Sequence, residues 1–350
     1  MRKRTLVPLL IVLAVVVALA VALFLRKKSP PEAARLLPES DAIVYVHLKT
    51  LRAASHFDET PITRNADFQK FIDATGIDPE RDIDEAAFAL HKMPNPKGPN
   101  GPVAYSEVFV GRFDGERLAK YLDTIAAQKE SYAGRTIYDL PIEGRVLRVA
   151  QLGYDTIGAS NMPTAEQIHS MLDRARTSAI GTVGSSLLAS HYEDVPLLSQ
   201  AWGIGHIGLP FGKDGQMSIM GFDVPLADTT DLIASVRYSG TVKLRIEELA
   251  ADDASAQRTV EALTAVLNIM RGISAEQPPH DAADSAMREI LNSIEIEQKH
   301  DHALLNASAT LEQLKALSSA KPVTPSDTPD QSPIQSSVIG ASSKPAASSK

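Results

Sequence analysis

His300-Asp301-His302 is the tightest grouping of metal-ligating side chains in the chain. Two imidazoles and a carboxylate could begin a divalent-metal site, which would still need further ligands from elsewhere and fixed ring orientations. The triplet sits between two strand-like runs, where Gly153-Tyr154-Asp155 sits in an earlier passage, and so reads as a two-strand turn. Asp78-Pro-Glu-Arg-Asp82-Ile-Asp84-Glu85 is rich in oxygen ligands. Calcium loops of the EF-hand kind need alternating ligands, a sharp-turn glycine and a closing glutamate. Pro79 and Ile83 break that alternation and no glycine follows, so an Asp-Pro turn leading into a strand is the reading.

Gly203-Ile-Gly205-His-Ile-Gly208 matches the G-x-G-x-x-G string of dinucleotide sites. That chemistry needs a helix to begin there, so that its N-terminal amides meet the pyrophosphate. The turn-rich Leu209-Pro-Phe-Gly-Lys-Asp-Gly215 follows instead, and we read a strand with closely packed glycines. Ser185 and Ser186 beside Gly184 could be activated by a distant histidine, but the chain has no G-x-S-x-G, H-E-x-x-H or P-loop string. His47 on a strand and His169 on a helix read as structural or surface residues. No catalytic, cofactor-binding or metal-ligating residue is assigned, and an enzyme is the less favoured class.

Composition narrows the classes further. The chain has 350 residues, which suggests about two domains. It has no cysteine, which removes disulfides, thiol nucleophiles and thiolate metal sites. Trp202 is the single tryptophan and aromatics make up 5%, which argues against an aromatic-lined sugar or nucleic-acid groove. The net charge of -8 hides unlike segments. Residues 1–28 carry six basic residues and no acid, whereas residues 29–320 carry 26 basic and 41 acidic ones, a net of -15. So acidic a body repels phosphates, and no nucleic-acid partner is expected.

Thr5–Leu25 is a run of 21 residues without a charge, flanked by Arg2-Lys3-Arg4 and Arg26-Lys27-Lys28. As a helix it would rise about 30 Å, enough to cross a bilayer core. A cleaved signal peptide is the rival reading, with Ala20-x-Ala22 as its site. Such a segment has a shorter apolar core and a neutral exit, and cleavage here would leave three positive charges at the new terminus. We therefore expect a retained signal anchor over 1–28. Basic residues flank both ends, so the positive-inside rule alone is silent. The very short N-terminus favours a cytoplasmic start, with residues 29–350 in the periplasm. Ser29-Pro-Pro-Glu32 makes a short stiff stalk. Residues 321–350, rich in Ser, Pro, Ala and Thr, cannot bury enough apolar surface to order and read as a disordered tail.

The elements that would position any site alternate short strands with helices. Strands are expected at 42–48, 83–90 and 103–113, and then at 136–140, 145–152 and 156–159. Helices are expected at 68–74, 115–128 (capped by Asp114) and 165–176. The second half repeats the order. Its strands are 198–207, 217–222, 231–238 and 241–247, followed by helices at 254–270 and 285–294, strands at 295–299 and 303–308, and a last helix at 311–317. Thr164-Ala-Glu-Gln167 and Thr310-Leu-Glu-Gln313 each open a helix as a capping box after a two-strand turn. The matching contexts suggest an internal duplication. Closely spaced strands favour antiparallel pairing. The expected fold class is therefore α+β: two similar, mostly antiparallel sheet domains, at 29–182 and 183–320, each with helices packed on one face.

Leu36-Leu-Pro-Glu-Ser-Asp-Ala-Ile-Val-Tyr-Val-His-Leu48, with Thr75-Gly-Ile-Asp-Pro-Glu-Arg-Asp-Ile-Asp84, resembles uncharacterised bacterial envelope proteins anchored by one N-terminal helix. The resemblance covers about 50 residues; it implies a location, and brings no catalytic residues. The expected function is that of a membrane-anchored envelope protein, non-enzymatic, that binds a protein or a ligand. The other classes are an extracytoplasmic enzyme without a local motif and a lipid-binding carrier.

Overall fold

The computed structural model describes residues 29–319, apart from 56–65, 99–100, 143, 178–183, 207–211, 214–215, 220–221, 225–229 and 277–278. The expected anchor Thr5–Leu25 and the tail from Lys321 lie outside these residues, and so does Gly208. Among the described residues, no helix is long and apolar enough to cross a membrane.

The architecture is α+β and dominated by one antiparallel sheet of twelve strands. From the N-terminus come α1 (Glu32–Leu36), β1 (Ala42–Val46), α2 (Leu48–Ser55), α3 (Ala66–Thr75), the short α4 (Pro79–Asp82), β2 (Ile83–Lys92) and β3 (Val103–Gly111). Then follow α5 (Gly115–Ile125), β4 (Gln128–Tyr132), β5 (Arg135–Ile142), β6 (Arg145–Gln151), β7 (Thr156–Ser160), α6 (Glu166–Thr177) and α7 (Ser186–His191). The second half has β8 (Ala201–His206), a small sheet of β9 (Gly212–Lys213), β10 (Gln216–Ile219) and β11 (Phe222–Val224), then β12 (Asp231–Tyr238) and β13 (Val242–Leu249). It closes with α8 (Asp253–Glu276), α9 (Ala282–Ser293), β14 (Glu295–Lys299), β15 (His302–Ala309) and α10 (Leu311–Ser319).

The strand order is β14-β15-β13-β12-β8-β1-β2-β3-β7-β6-β5-β4. Outward from the central β1–β8 pair, one side reads β1-β2-β3-β7-β6 and the other β8-β12-β13-β15-β14. The strands of the two halves join in one continuous sheet, which corrects the two separate sheet domains expected from the sequence. Ile43 faces Ile204 and Tyr45 faces Trp202 across a hydrogen-bonded seam. An unpaired edge strand offers a row of open donors and acceptors, and pairing β1 with β8 satisfies both edges at once. Gly205 makes the seam possible, because a Cβ on it would come within 2.8 Å of the Ala42 Cα. The packed-glycine reading of β8 holds there.

Helices cover both faces rather than one. Ile43, Tyr45, Ala87, Ala89, Val108 and Ile204 point to the first face, where they are buried with Leu36 of α1, Ile168 and Met171 of α6 and Leu188 of α7. On the opposite face, Tyr138, Leu140, Val149 and Ala159 pack against Leu118 and Leu122 of α5, which Asp114 caps as expected. In the second half α8 and α9 pack on β14 and β15. Alternation along a strand sends side chains to both sides, and with inward runs such as Ala86-Ala87 and Ala159-Ser160 neither face is free of apolar surface.

Candidate functional site

The first face changes character across the seam. Over β12, β13 and β15 it carries Asp231, Ser235, Arg245, Glu247, His302 and Asn306, placed side by side by the strand registers. Two charged clusters lie at the end of the sheet where β8 and β12 meet their far termini. In the first, His206 and Asp231 are direct cross-strand partners, because β8 ends where β12 begins. The Asp231 carboxylate contacts His206 Nδ1 and lies 3.2 Å from His191 Nε2, which the C-terminus of α7 brings over the sheet. Asp231 and His191 are mostly buried and His206 is half exposed. One carboxylate thus lies between two imidazoles, and its Oδ1 is buried with no hydrogen-bond partner among the described residues.

The second cluster centres on Glu247. His302 Nδ1 donates to its Oε1 at 2.7 Å, and Arg245 Nη2 to its Oε2 at 2.8 Å. Burial pushes this carboxyl up, but the hydrogen bonds from His302 and Arg245 and the two positive charges outweigh it, so its pKa lies below the usual carboxylate range. His302 also lies 3.4 Å from Asp301. The pair is an ion-pair clamp across β13 and β15.

A third polar line runs through the first half. His91 Nε2 lies 3.0 Å from Ser106 Oγ, which donates to Ser160 Oγ at 3.0 Å. Burial lowers the His91 pKa. Serine and histidine in contact suggest nucleophile and base, but His91 is 6% exposed and Ser106 0%, so the line is enclosed by the core. Its work is to satisfy buried polar atoms across β2, β3 and β7.

The residues singled out in the sequence mostly have structural employment. His300 takes a left-handed φ of 55° in the β14–β15 turn, as expected of a two-strand turn, and only His302 of the triplet reaches another cluster. Asp78 caps α4 by accepting from Glu80 N–H, while Asp82 accepts from Asp78 N–H. Ser185 is the buried N-cap of α7, and Ser186 donates to Glu39. His47 accepts from Thr50 N–H at the start of α2. His169 stacks on Tyr132 with centroids 3.8 Å apart and meets Glu130 at 2.9 Å. Among the described residues, no group of three or more His, Asp and Glu side chains is arranged to hold a metal ion.

No sequence motif singles out His191, Asp231, His206 or Glu247. A weak signal exists: alternation in Trp202-Gly-Ile-Gly-His206 puts the histidine on the inward side with Trp202 and Ile204. The partner at Asp231 depends on the register of β8 with β12, which no local pattern reveals.

No family model matches the chain, and no curated protein matches it. Solved structures of TP0453 are similar in outline. Crystal form III has a TM-score of 0.44 at 12% identity, covering 83% of this chain and 99% of that one. Form I has a TM-score of 0.42 at 10% identity, covering 83% and 97%. Likeness this distant carries no functional implication.

Proposed function

We propose that the chain is a membrane-tethered envelope protein whose body, outside the cytoplasmic membrane, binds a protein or ligand. The observation that carries this reading is the uncharged run Thr5–Leu25 ending in Arg26-Lys27-Lys28, three residues ahead of the first helix of the body. The binding end is the one bearing His191, Asp231 and His206, since it combines partly exposed imidazoles with a carboxylate they share. A phosphatase reporter that works only outside the cytoplasm, fused after Lys350, should be active. The mature chain should keep its N-terminus rather than begin near Leu23. Activity only of a cytoplasmic reporter overturns the orientation, and a new N-terminus near Leu23 overturns the anchor.

A second reading, an extracytoplasmic enzyme, is favoured by that same His-Asp-His cluster, which has the parts for proton transfer. We also infer that the two halves arose by duplication. Support comes from the matching strand orders on either side of the β1–β8 seam, with α5 and α8 each following the third large-sheet strand of its half. The last helix of each half departs from that pattern. Ile168, Met171 and Leu172 of α6 are buried on the sheet, whereas α10 has no buried residue and lies against α9.

A further inference from the structure

The start of the body and three of the four most exposed large apolar side chains among the described residues belong to one end of the sheet. Ala33 of α1 donates its N–H to Glu85, and Glu85 opens β2 where β1 closes, with Ala86 opposite Val46. Ala33 and Ala34 are fully buried, so the start of α1 is fixed to that end of the sheet. Between Lys28 and Glu32 stand only Ser29, Pro30 and Pro31, a reach of roughly 10 Å even when extended. A body held by so short a stalk cannot turn a different end towards the bilayer.

Two loops flank this exit. The β6–β7 turn carries Tyr154, 89% exposed, and the turn before β8 carries Leu197 and Leu198, 49% and 69% exposed. Both belong to the same end, because Asp155 accepts from Gly111 N–H at the close of β3 and Gln200 accepts from His47 N–H at the close of β1. Among the described residues these are three of the four most exposed large apolar side chains. Strands β8 and β7 are four positions apart, about 19 Å, with β2 and the exit between them. Leu198 has a φ of 67° at the third position of a turn closed by Ser199 N–H to Pro196 O, a place that suits glycine. The turn thus holds out a leucine where a smaller residue would sit more easily.

We propose that this end of the sheet rests on the bilayer that holds the anchor, with Tyr154, Leu197 and Leu198 in its headgroup layer on either side of the stalk. Tyrosine suits that layer, having an apolar ring and a polar tip. Glu193 and Asp194 are exposed just before the leucines, so the contact is apolar and does not call for anionic lipid. The surface leaves the His191-Asp231-His206 end facing away from the membrane, free to meet a ligand.

The inference rests on the anchor proposed above. The chain has no cysteine, so single cysteines can carry an environment-sensitive dye: Tyr154→Cys and Leu198→Cys at this end, and Asn95→Cys at the opposite end. The full chain, reconstituted in phosphatidylcholine vesicles, is floated and then probed with headgroup-level nitroxide lipids. Expected are blue-shifted emission and quenching for dyes at 154 and 198, and neither at 95. If the chain floats but quenching at 154 and 198 is no greater than at 95, the docking is overturned and the anchor stands. A blue shift without lipid quenching would mark a second protein copy on this surface and also overturns it. If the chain does not float, the anchor falls and the docking with it.

Discussion

Glu85 and Glu247 are both glutamates on sheet strands, yet their surroundings push them in opposite directions. At Glu85 burial raises the pKa, and the His47 charge and the hydrogen bonds from Ala33 N–H and Tyr45 O–H offset it only in part. Its Oε2 has no hydrogen-bond partner among the described residues. A carboxyl raised in the folded state stabilises the fold below its unfolded pKa and loses that contribution as pH climbs through the folded value. Glu85→Gln should therefore raise the thermal midpoint at pH 8 and change it little at pH 4. Glu247 is held low, so its contribution is present above the unfolded value and lost as pH falls through the folded one. Glu247→Gln should cost about 2 kcal/mol at pH 8, since it weakens two hydrogen bonds to a charged group. That difference should shrink on acidification. Thermal melts of both variants across pH check the two signs together, and a common direction would refute the assignment.

At the level of elements, the two Thr-x-x-Gln sequences look alike and fold differently. Thr310 Oγ1 accepts from Gln313 N–H at 3.1 Å, and Gln313 Oε1 accepts from Thr310 N–H at 2.7 Å, a complete capping box. In α6 the first helical bond runs from His169 N–H to Ala165 O, so Ala165 stands at the cap and Gln167 Oε1 is buried without a partner. Thr310→Ala should cost about 1 kcal/mol and Thr164→Ala close to nothing, measured by urea denaturation. Equal losses would show that both boxes form. The contrast marks what a sequence can convey. Strands 83–92 and 103–111 and helix 115–125 were legible from period and cap, because their apolar faces meet the core directly. Gln128–Tyr132 was not, since β4 is an almost wholly exposed edge strand whose residues carry no alternation. The His191-Asp231-His206 cluster depends on register between strands 25 residues apart along the chain, and local pattern holds no record of that.

Across the whole molecule, the seam between β1 and β8 decides whether the halves act separately. One buried cluster spans it: Ile43 and Tyr45 from the first half lie with Trp202, Ile204 and Ile233 from the second. Tyr45 and Trp202 stack with centroids 5.3 Å apart, and Tyr192 meets the same indole edge-on at 5.5 Å. Neither half can keep this cluster covered alone, because each would expose an apolar central strand with an open edge. The chain should therefore unfold as one unit despite its length. Trp202, the single tryptophan and placed at the seam, reports the joint between halves, while far-UV circular dichroism reports the secondary structure of both halves. The two urea curves should share one midpoint. Ile43→Ala, which removes a fully buried side chain from the seam, should lower both midpoints together, by about 2–5 kcal/mol in stability. Two dichroism transitions, with the fluorescence following only one, would mean that the seam is a contact between independent domains rather than the centre of a single fold.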